Sequence, residues 1–358
     1  MNGFAPMVEL EGRCIGPGRP VFVIAEIGIN HNGDLDLARR SVDAAAEAGA
    51  DCVKFQTFRA EEFMADRELE YEYLSAGTPV REKMYEMFKR LELPFAWHRT
   101  LFEHARSRGL VPLTSVADPL CVEAALEAGA GAFKLASEDL INLPLLDSVA
   151  ARGLPLILST GMADEEEIAD ALDVLRRRGA DRTIFLHCVS LYPTRDEETN
   201  LRRMTALARV TGAVTGYSDH TLGSEACLAA VALGACVLEK HFTLDRSLPG
   251  PDHSLSADPW ELADLVRSVR RVEAMLGGES LEIAAREREF RHAFRRSVVA
   301  ARPLRRGTVL TADDLTLKRP GSGLRAREIP RLLGRVLDRD LPGDAQIAWG
   351  MLQTERNS

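Results

Sequence analysis

From Val21 onward the chain repeats one pattern of apolar and polar positions. A short apolar run comes first, then a turn, then a longer amphipathic stretch. The runs are VFVIAEI (21–27), DCVKFQT (51–57), LVPLTS (110–115), GAFKLAS (131–137), LPLILST (154–160), TIFLHC (183–188), AVTGYS (213–218) and ACVLEKHF (235–242). Unbroken apolar runs of this length suit strands covered on both faces of a parallel sheet. Between them lie helix-period patterns such as LDLARRSVDAAAEAGA (35–50) and DEEEIADALDVLRRRGA (164–180). Eight strands with intervening helices predict an α/β fold, a (β/α)8 TIM barrel. An open doubly wound sheet is the alternative, but no glycine-rich dinucleotide fingerprint follows the first run.

A weak internal repeat points to where the chemistry of such a barrel would sit. EAGADCVKF (47–55), EAGAGAFKL (127–135) and ALGACVLEK (232–240) each join a helix end, a Gly-Ala pair and a strand. Five residues past the glycine stand Lys54, Lys134 and Glu239. A charge late in an apolar strand is costly unless it meets a partner or a pocket. The three are therefore expected at the C-terminal strand ends, the face on which barrel enzymes carry their chemistry. Three snorkelling or salt-bridged side chains are the plainer alternative.

One connection is much longer than the others. Residues 58–109 separate the second and third runs and hold helical patterns at VREKMYEMFKRLE (80–92) and WHRTLFEHARSRG (97–109). Long excursions in compact domains are often functional, and this one reads as a cover over substrate. SADPWELADLVRSVRRVEAMLG (256–277) supplies the eighth helix. The texture then changes through a charged stretch to short β-prone pieces. The expected division is a barrel over 1–280, a linker over 281–296 and a small, mostly β domain over 297–358. So small a unit is marginal alone and needs something larger to lean on.

Composition narrows the function. The net charge of −9 argues against a nucleic-acid or anionic-membrane partner. No stretch approaches the roughly 20 apolar residues of a membrane span. The N-terminus lacks a secretory pattern, and the six cysteines are scattered without a CxxC pair. A cytoplasmic protein with reduced thiols is expected.

His220 follows the seventh run and His241 closes the eighth. Neighbouring parallel strands lie about 4.8 Å apart, so the two imidazoles can meet at one barrel mouth. With Asp219 and Glu239 nearby they could hold a divalent cation; core or capping histidines are the alternative. Lys54 and Lys134 with Ser115, Ser137, Ser190 and Ser218 would make a cradle for phosphate and carboxylate, although any single serine there is more often a helix cap. A buried lysine could instead form a Schiff base. Glu26, in AEIGINHNGD (25–34), is a candidate general base or a salt-bridge partner of Lys54 or Lys134.

IAEIGINHNGD, VKFQTF, FKLAS, LSTGM, HCVSLYPT, GYSDHT, LEKHFTLDRSLPGPDH and KRPGSGL resemble, in order, the motifs of the sialic acid synthase family. That family includes synthases of N-acetylneuraminic, legionaminic and pseudaminic acids and spore-coat polysaccharide relatives. The C-terminal piece is similar to the family's antifreeze-like (SAF) domain. The resemblance implies a TIM barrel plus SAF domain in a homodimer, each SAF domain capping the partner's active site. It implies condensation of phosphoenolpyruvate (PEP) with the open-chain aldehyde of an N-acylated hexosamine, giving a nine-carbon 3-deoxy-2-keto acid and phosphate. By resemblance His220 and His241 bind Mn or Mg; water must add to PEP carbon 2, and Glu26 is read here as the group that positions or deprotonates it. Lys54, Ser115, Lys134, Ser137, Ser190 and Ser218 match PEP-binding positions. Gln56 and Tyr192 match the sugar side, and Arg319 matches an arginine reaching the partner's site. Ser190 stands where sialic acid synthases often have Asn, and Glu138–Asp139 replace the usual Gly-Glu after Ser137. A Schiff-base aldolase and a non-catalytic sugar-binding barrel are the competing functions.

Overall fold

The computed structural model describes residues 3–354. Eight parallel strands close into a barrel: β1 (Phe22–Gly28), β2 (Cys52–Thr57), β3 (Val111–Val116), β4 (Phe133–Leu135), β5 (Leu156–Ser159), β6 (Thr183–Cys188), β7 (Val214–Asp219) and β8 (Val237–His241). They follow one another in chain order, and β8 pairs back onto β1, which removes the open-sheet alternative. The helices packed outside are α1 (Leu35–Glu47), α2 (Phe95–Ser107), α3 (Pro119–Glu127), α4 (Leu143–Ala150), α5 (Glu165–Arg178), α6 (Arg202–Thr211), α7 (Glu225–Ala232) and α8 (Pro259–Leu276). Their starts are marked locally. Asp34, Asp118, Asp164 and Asp258 cap α1, α3, α5 and α8 by accepting backbone N–H bonds. No described helix is long and apolar enough to cross a membrane. The six cysteines are unpaired.

Strand geometry sorts each run into two faces, because successive side chains alternate. The outward set, including Val23, Ile27, Phe55, Phe133, Leu158 and Phe185, meets the helices in the main core. The inward set changes character along each strand. It reads Phe22–Ile24–Glu26 on β1, Cys52–Lys54–Gln56 on β2, Val111–Leu113–Ser115 on β3 and Val237–Glu239–His241 on β8. The apolar members form a separate cluster deep in the barrel, while the polar members line a cavity at the C-terminal end.

A hairpin that the hydrophobic pattern did not announce completes the inner cluster. Val8–Leu10 pairs with Arg13–Ile15, and Val8, Leu10 and Ile15 pack against Phe22, Ile24 and Val111. Its turn residues Glu11 and Gly12 both have positive φ (44° and 82°), the geometry of a tight two-residue turn. The hairpin thus packs on the apolar end of the barrel interior, opposite the polar end.

The long excursion differs from its expected form. Residues 80–83, expected as helix, lie in the strand Thr78–Lys83, which pairs with Glu70–Ser75. Of residues 80–92 only Met84–Leu91 is helical. The turn at Ala76 and Gly77 has φ of 49° and 77°, and the alternation of EYEYLS suits a ribbon.

The chain divides into two compact units, one ending at Gly277 and the other starting at Gly278. The stretch expected as a linker contains the helix Ala285–Phe294. In the second unit Ser297–Ala300 pairs antiparallel with Leu315–Lys318 over a small core of Val298, Leu310, Leu332, Leu337 and Ile347.

Truncating Leu10 to Ala should cost about 2–5 kcal/mol in urea unfolding, the range for a leucine lost from a packed core. A cost below about 1 kcal/mol would mean that the hairpin is not part of that core.

Candidate active site

Strand register places the polar side chains in rows around the barrel mouth. His241 pairs with Glu26, and Glu26 with Lys54. Ser218 pairs with Glu239, Gln56 with Ser115, and Ser115 with Lys134. Lys54 is buried, with its ammonium 2.8 Å from Glu26 Oε1 and 3.8 Å from Glu239 Oε2. Gln56 Nε2 donates to Glu26 Oε1 at 2.8 Å, and Ser218 Oγ donates to Glu239 Oε1 at 2.9 Å. Lys134 donates to Ser159 Oγ at 2.6 Å and to the Leu135 carbonyl at 2.9 Å. The three charges of the internal repeat therefore do converge. Gly28 makes room: with φ at 53°, a Cβ there would sit 3.0 Å from Glu26 Oε1 and 3.1 Å from Gln56 Nε2.

Burial and charge set the protonation pattern. Burial pulls the Lys54 ammonium toward neutrality, but Glu239 and Glu26 outweigh it and raise its pKa. Burial depresses Lys134, with Glu239 opposing. Burial works against the Glu239 carboxylate, yet Lys134 and Lys54 pull its pKa down to about 2. Asp139 goes the other way, up to about 7, through burial first and the nearby Glu138 second. Two carboxylate oxygens, Glu26 Oε2 and Glu239 Oε2, are buried without a hydrogen-bond partner. Buried acceptors left open in this way are waiting for donors.

The histidines meet as expected. Their ring centroids are 5.2 Å apart. His220 Nδ1 donates a hydrogen bond of 2.7 Å to the Val189 carbonyl, so Nδ1 carries a proton. His241 Nδ1 is buried and unpaired, 3.4 Å from Asp252 Oδ2. This nitrogen pair fits a divalent cation, which would complete its shell with water and substrate. Among the described residues no group of three or more His, Cys, Asp or Glu side chains is placed to hold a metal ion, so the histidines would be its only imidazole or carboxylate ligands. The Tyr192 ring lies against His220, centroids 4.1 Å apart.

One cavity of about 770 Å³ gathers Glu26, Lys54, Gln56, Ser115, Lys134, Ser137, Ser190, Tyr192, Ser218, His220, Glu239 and His241. Arg319 belongs to the second unit, where its guanidinium lies 5.1 Å from the Phe294 ring centroid. Asp219, considered beside His220 as a neighbour of a cation site, does not line this cavity. It faces away from the cavity, accepting from Lys240 Nζ at 2.6 Å, Thr221 N at 2.8 Å and Tyr217 Oη at 3.1 Å. Neighbours on a strand point to opposite faces, so Asp219 turns out because Ser218 and His220 turn in. Three participants were not singled out from the sequence. Ser159 holds Lys134. Gly161 lies under the serines, since a Cβ there would come 2.7 Å from Ser137 Oγ and also strike Ser190 Oγ. Asp252 lines the cavity beside His241. The first two sit in LSTGM and the third in SLPGPDH, so proximity of these motifs to strand ends was the available signal.

Two lysines, two buried carboxylates and a histidine pair thus share the C-terminal mouth of a closed barrel, the face on which barrel enzymes carry their chemistry. The chain belongs to the NeuB family, which residues 41–280 match; residues 295–353 match a SAF domain. It is 40% identical over 338 residues to the N,N'-diacetyllegionaminic acid synthase of Legionella pneumophila, covering 93% of this chain and 95% of that one. It is 39% identical over 316 residues to the N-acetylneuraminate-9-phosphate synthase of Homo sapiens, with 87% of each covered. The structure resembles the N-acetylneuraminic acid synthetase of Leptospira borgpetersenii solved with citrate. The TM-score is 0.73 at 35% identity, over 81% of this chain and 96% of that one.

The outward Asp219–Lys240 pair gives a test of the two faces. Lys240→Met should cost about 3–5 kcal/mol in unfolding by stranding a buried carboxylate. The double change Asp219→Asn with Lys240→Met, which removes both charges and keeps an acceptor for Thr221 N and Tyr217 Oη, should recover part of that stability. A double variant no better than the single would show that the unpaired charge is not what destabilises Lys240→Met.

Proposed function

We propose that the protein is a nonulosonic acid synthase, condensing PEP with the open-chain form of an N-acylated hexosamine to a nine-carbon 3-deoxy-2-keto acid with release of phosphate. The observation that carries this is the single cavity joining the Lys54–Lys134 cradle to the histidine pair, in a chain of the NeuB family. The family match favours it over the Schiff-base aldolase. The hydrogen bonds that hold Lys134 as a donor also fit a binding role better than a nucleophilic one.

In this reading Lys54 and Lys134 offset the charge of PEP, and the hydroxyls of Ser115, Ser137, Ser190 and Ser218 donate to its oxygens. His220 and His241 would hold Mn or Mg, and the cation would supply Lewis-acid polarisation of the sugar aldehyde. Tyr192 packs on His220 and, with Gln56, faces the sugar. Carbon 3 of PEP bonds to the aldehyde carbon, whose oxygen takes up a proton, and positive charge develops at carbon 2. Glu26 uses its unpaired Oε2 to orient water toward carbon 2 and accepts a proton as the new carbon–oxygen bond forms. The resulting tetrahedral species expels phosphate by breaking its own carbon–oxygen bond. The same reading includes a cytoplasmic homodimer in which the SAF unit caps the partner's site with Arg319. Its support is that residues 278–358 are net basic and the barrel net acidic.

Purified protein supplied with PEP and a panel of N-acylated hexosamines should release phosphate only when a sugar is present. EDTA should stop release, and Mn or Mg should restore it. Glu26→Gln should lower kcat by roughly 10²–10⁴-fold while PEP still binds. Sugar-independent phosphate release would contradict the assignment.

Asp139 makes the reaction pH-dependent. Above about 7 its carboxyl ionises and adds negative charge to the cavity, so KM for PEP should rise as pH rises through that value. Because folding raises this pKa, its contribution to stability is likewise lost as pH climbs from the ordinary 3.8 through about 7. Asp139→Asn should flatten the KM profile. Identical profiles for variant and parent would remove Asp139 from the account.

A further inference from the structure

The loop between β8 and α8 brings Asp252 to the cavity, where its Oδ2 lies 3.4 Å from His241 Nδ1. The chain approaches that point through SLPGPD (247–252). A proline fixes φ and carries no N–H, so Pro249 and Pro251 leave Gly250 as the one backbone donor of the triplet. That donor is taken from outside the loop. Gly250 N donates to Ser75 Oγ at 3.0 Å, beside the turn of the hairpin formed by Glu70–Ser75 and Thr78–Lys83. Two residues past Asp252, Ser254 Oγ donates to the Leu74 carbonyl at 3.3 Å. Asp252 is therefore bracketed by two bonds to one hairpin tip. The other ties reach the loop from the β1 side and from within. Asn32 Nδ2 donates to the Pro249 carbonyl at 2.8 Å, and Ser256 Oγ donates to the Asp252 carbonyl at 2.6 Å. The hairpin is itself held against the barrel. Tyr71 and Tyr73 stack at 5.8 Å and pack on the buried cluster of Ile29, Phe58, Met87 and Leu91.

We propose that Ser75 is a positioning residue for the sugar end of the cavity: it latches the β8 loop to the hairpin, so that Asp252 stands beside His241. The kinetic consequence rests on the synthase reading given above, whereas the latch is a contact within this chain. Among the described residues Ser75 does not line the cavity, so it acts through the loop. The PEP end has no such dependence. Lys54, Ser115, Lys134 and Ser218 stand on barrel strands, and neighbouring strands set their register. Losing the latch should thus loosen the hold on one substrate and spare the other. Gly250 is the poorer place to break it, since a Cβ there would sit 2.7 Å from the His253 ring and displace the loop directly.

Ser75→Ala removes the hydroxyl that receives the Gly250 N–H, and Ser75→Thr keeps one. Amide exchange over residues 247–256, read by mass spectrometry, should be faster in Ser75→Ala by about two- to tenfold, the worth of one hydrogen bond. Ser75→Thr should exchange at the parental rate. With PEP and whichever N-acylated hexosamine the parent turns over, Ser75→Ala should raise the KM for the sugar by a similar factor and leave the KM for PEP unchanged. Ser75→Thr should restore the sugar KM. Parental exchange or a parental sugar KM in Ser75→Ala overturns the inference, and so does an equal rise in both KM values, the sign of a general loss of packing. A parent that releases no phosphate with any sugar removes the synthase reading. The exchange comparison still decides the latch in that case: faster exchange in Ser75→Ala alone supports it, and equal rates overturn it.

Discussion

The Lys54 ammonium is buried between Glu26 and Glu239, and the rest of the site is arranged around that charge. An ion taken out of water is tolerated only when its partners are in place, and each partner then depends on the ion. Glu26 comes from β1, Lys54 from β2 and Glu239 from β8, three strands that are neighbours only because the barrel closes. Closure requires a packed interior, which the inward apolar residues and the N-terminal hairpin supply at the opposite end. The fold's stability and the site's electrostatics thus share one set of strands. Inward positions are apolar where the barrel must be filled and polar where it must open.

The network leaves capacity unused. Lys54 takes one oxygen of Glu26, Ser218 takes one oxygen of Glu239, and a buried acceptor on each acid is left open. Water directed at carbon 2 of PEP and hydroxyls of an acceptor are the donors that such oxygens suit. The lining carboxyls also outnumber the lysines, so an anionic substrate would need further positive charge brought to this cavity.

Much of this was legible in the sequence because strand periodicity and the Gly-Ala repeat share a phase. Lys54, Lys134 and Glu239 fall at one height in their strands, which is why they meet. The histidine pair was legible for the same reason. The role of Asp219 was left open by its adjacency to His220; alternation along the strand sends the two to opposite faces. The two hairpins were missed for a different reason. Their turns use Glu11 and Ala76 at positive φ, a conformation that such residues rarely announce. The short strands beside them give too little periodicity to register.

The central claim is that the carboxylate–lysine network serves addition of water at carbon 2 of PEP. Turnover of PEP carrying ¹⁸O in the bridging position between carbon 2 and phosphorus tests it most directly. The account predicts that the label leaves with phosphate, read as a mass shift of inorganic phosphate. Label retained in the keto acid would mean that the phosphorus–oxygen bond breaks instead, and the role given to Glu26 would be wrong.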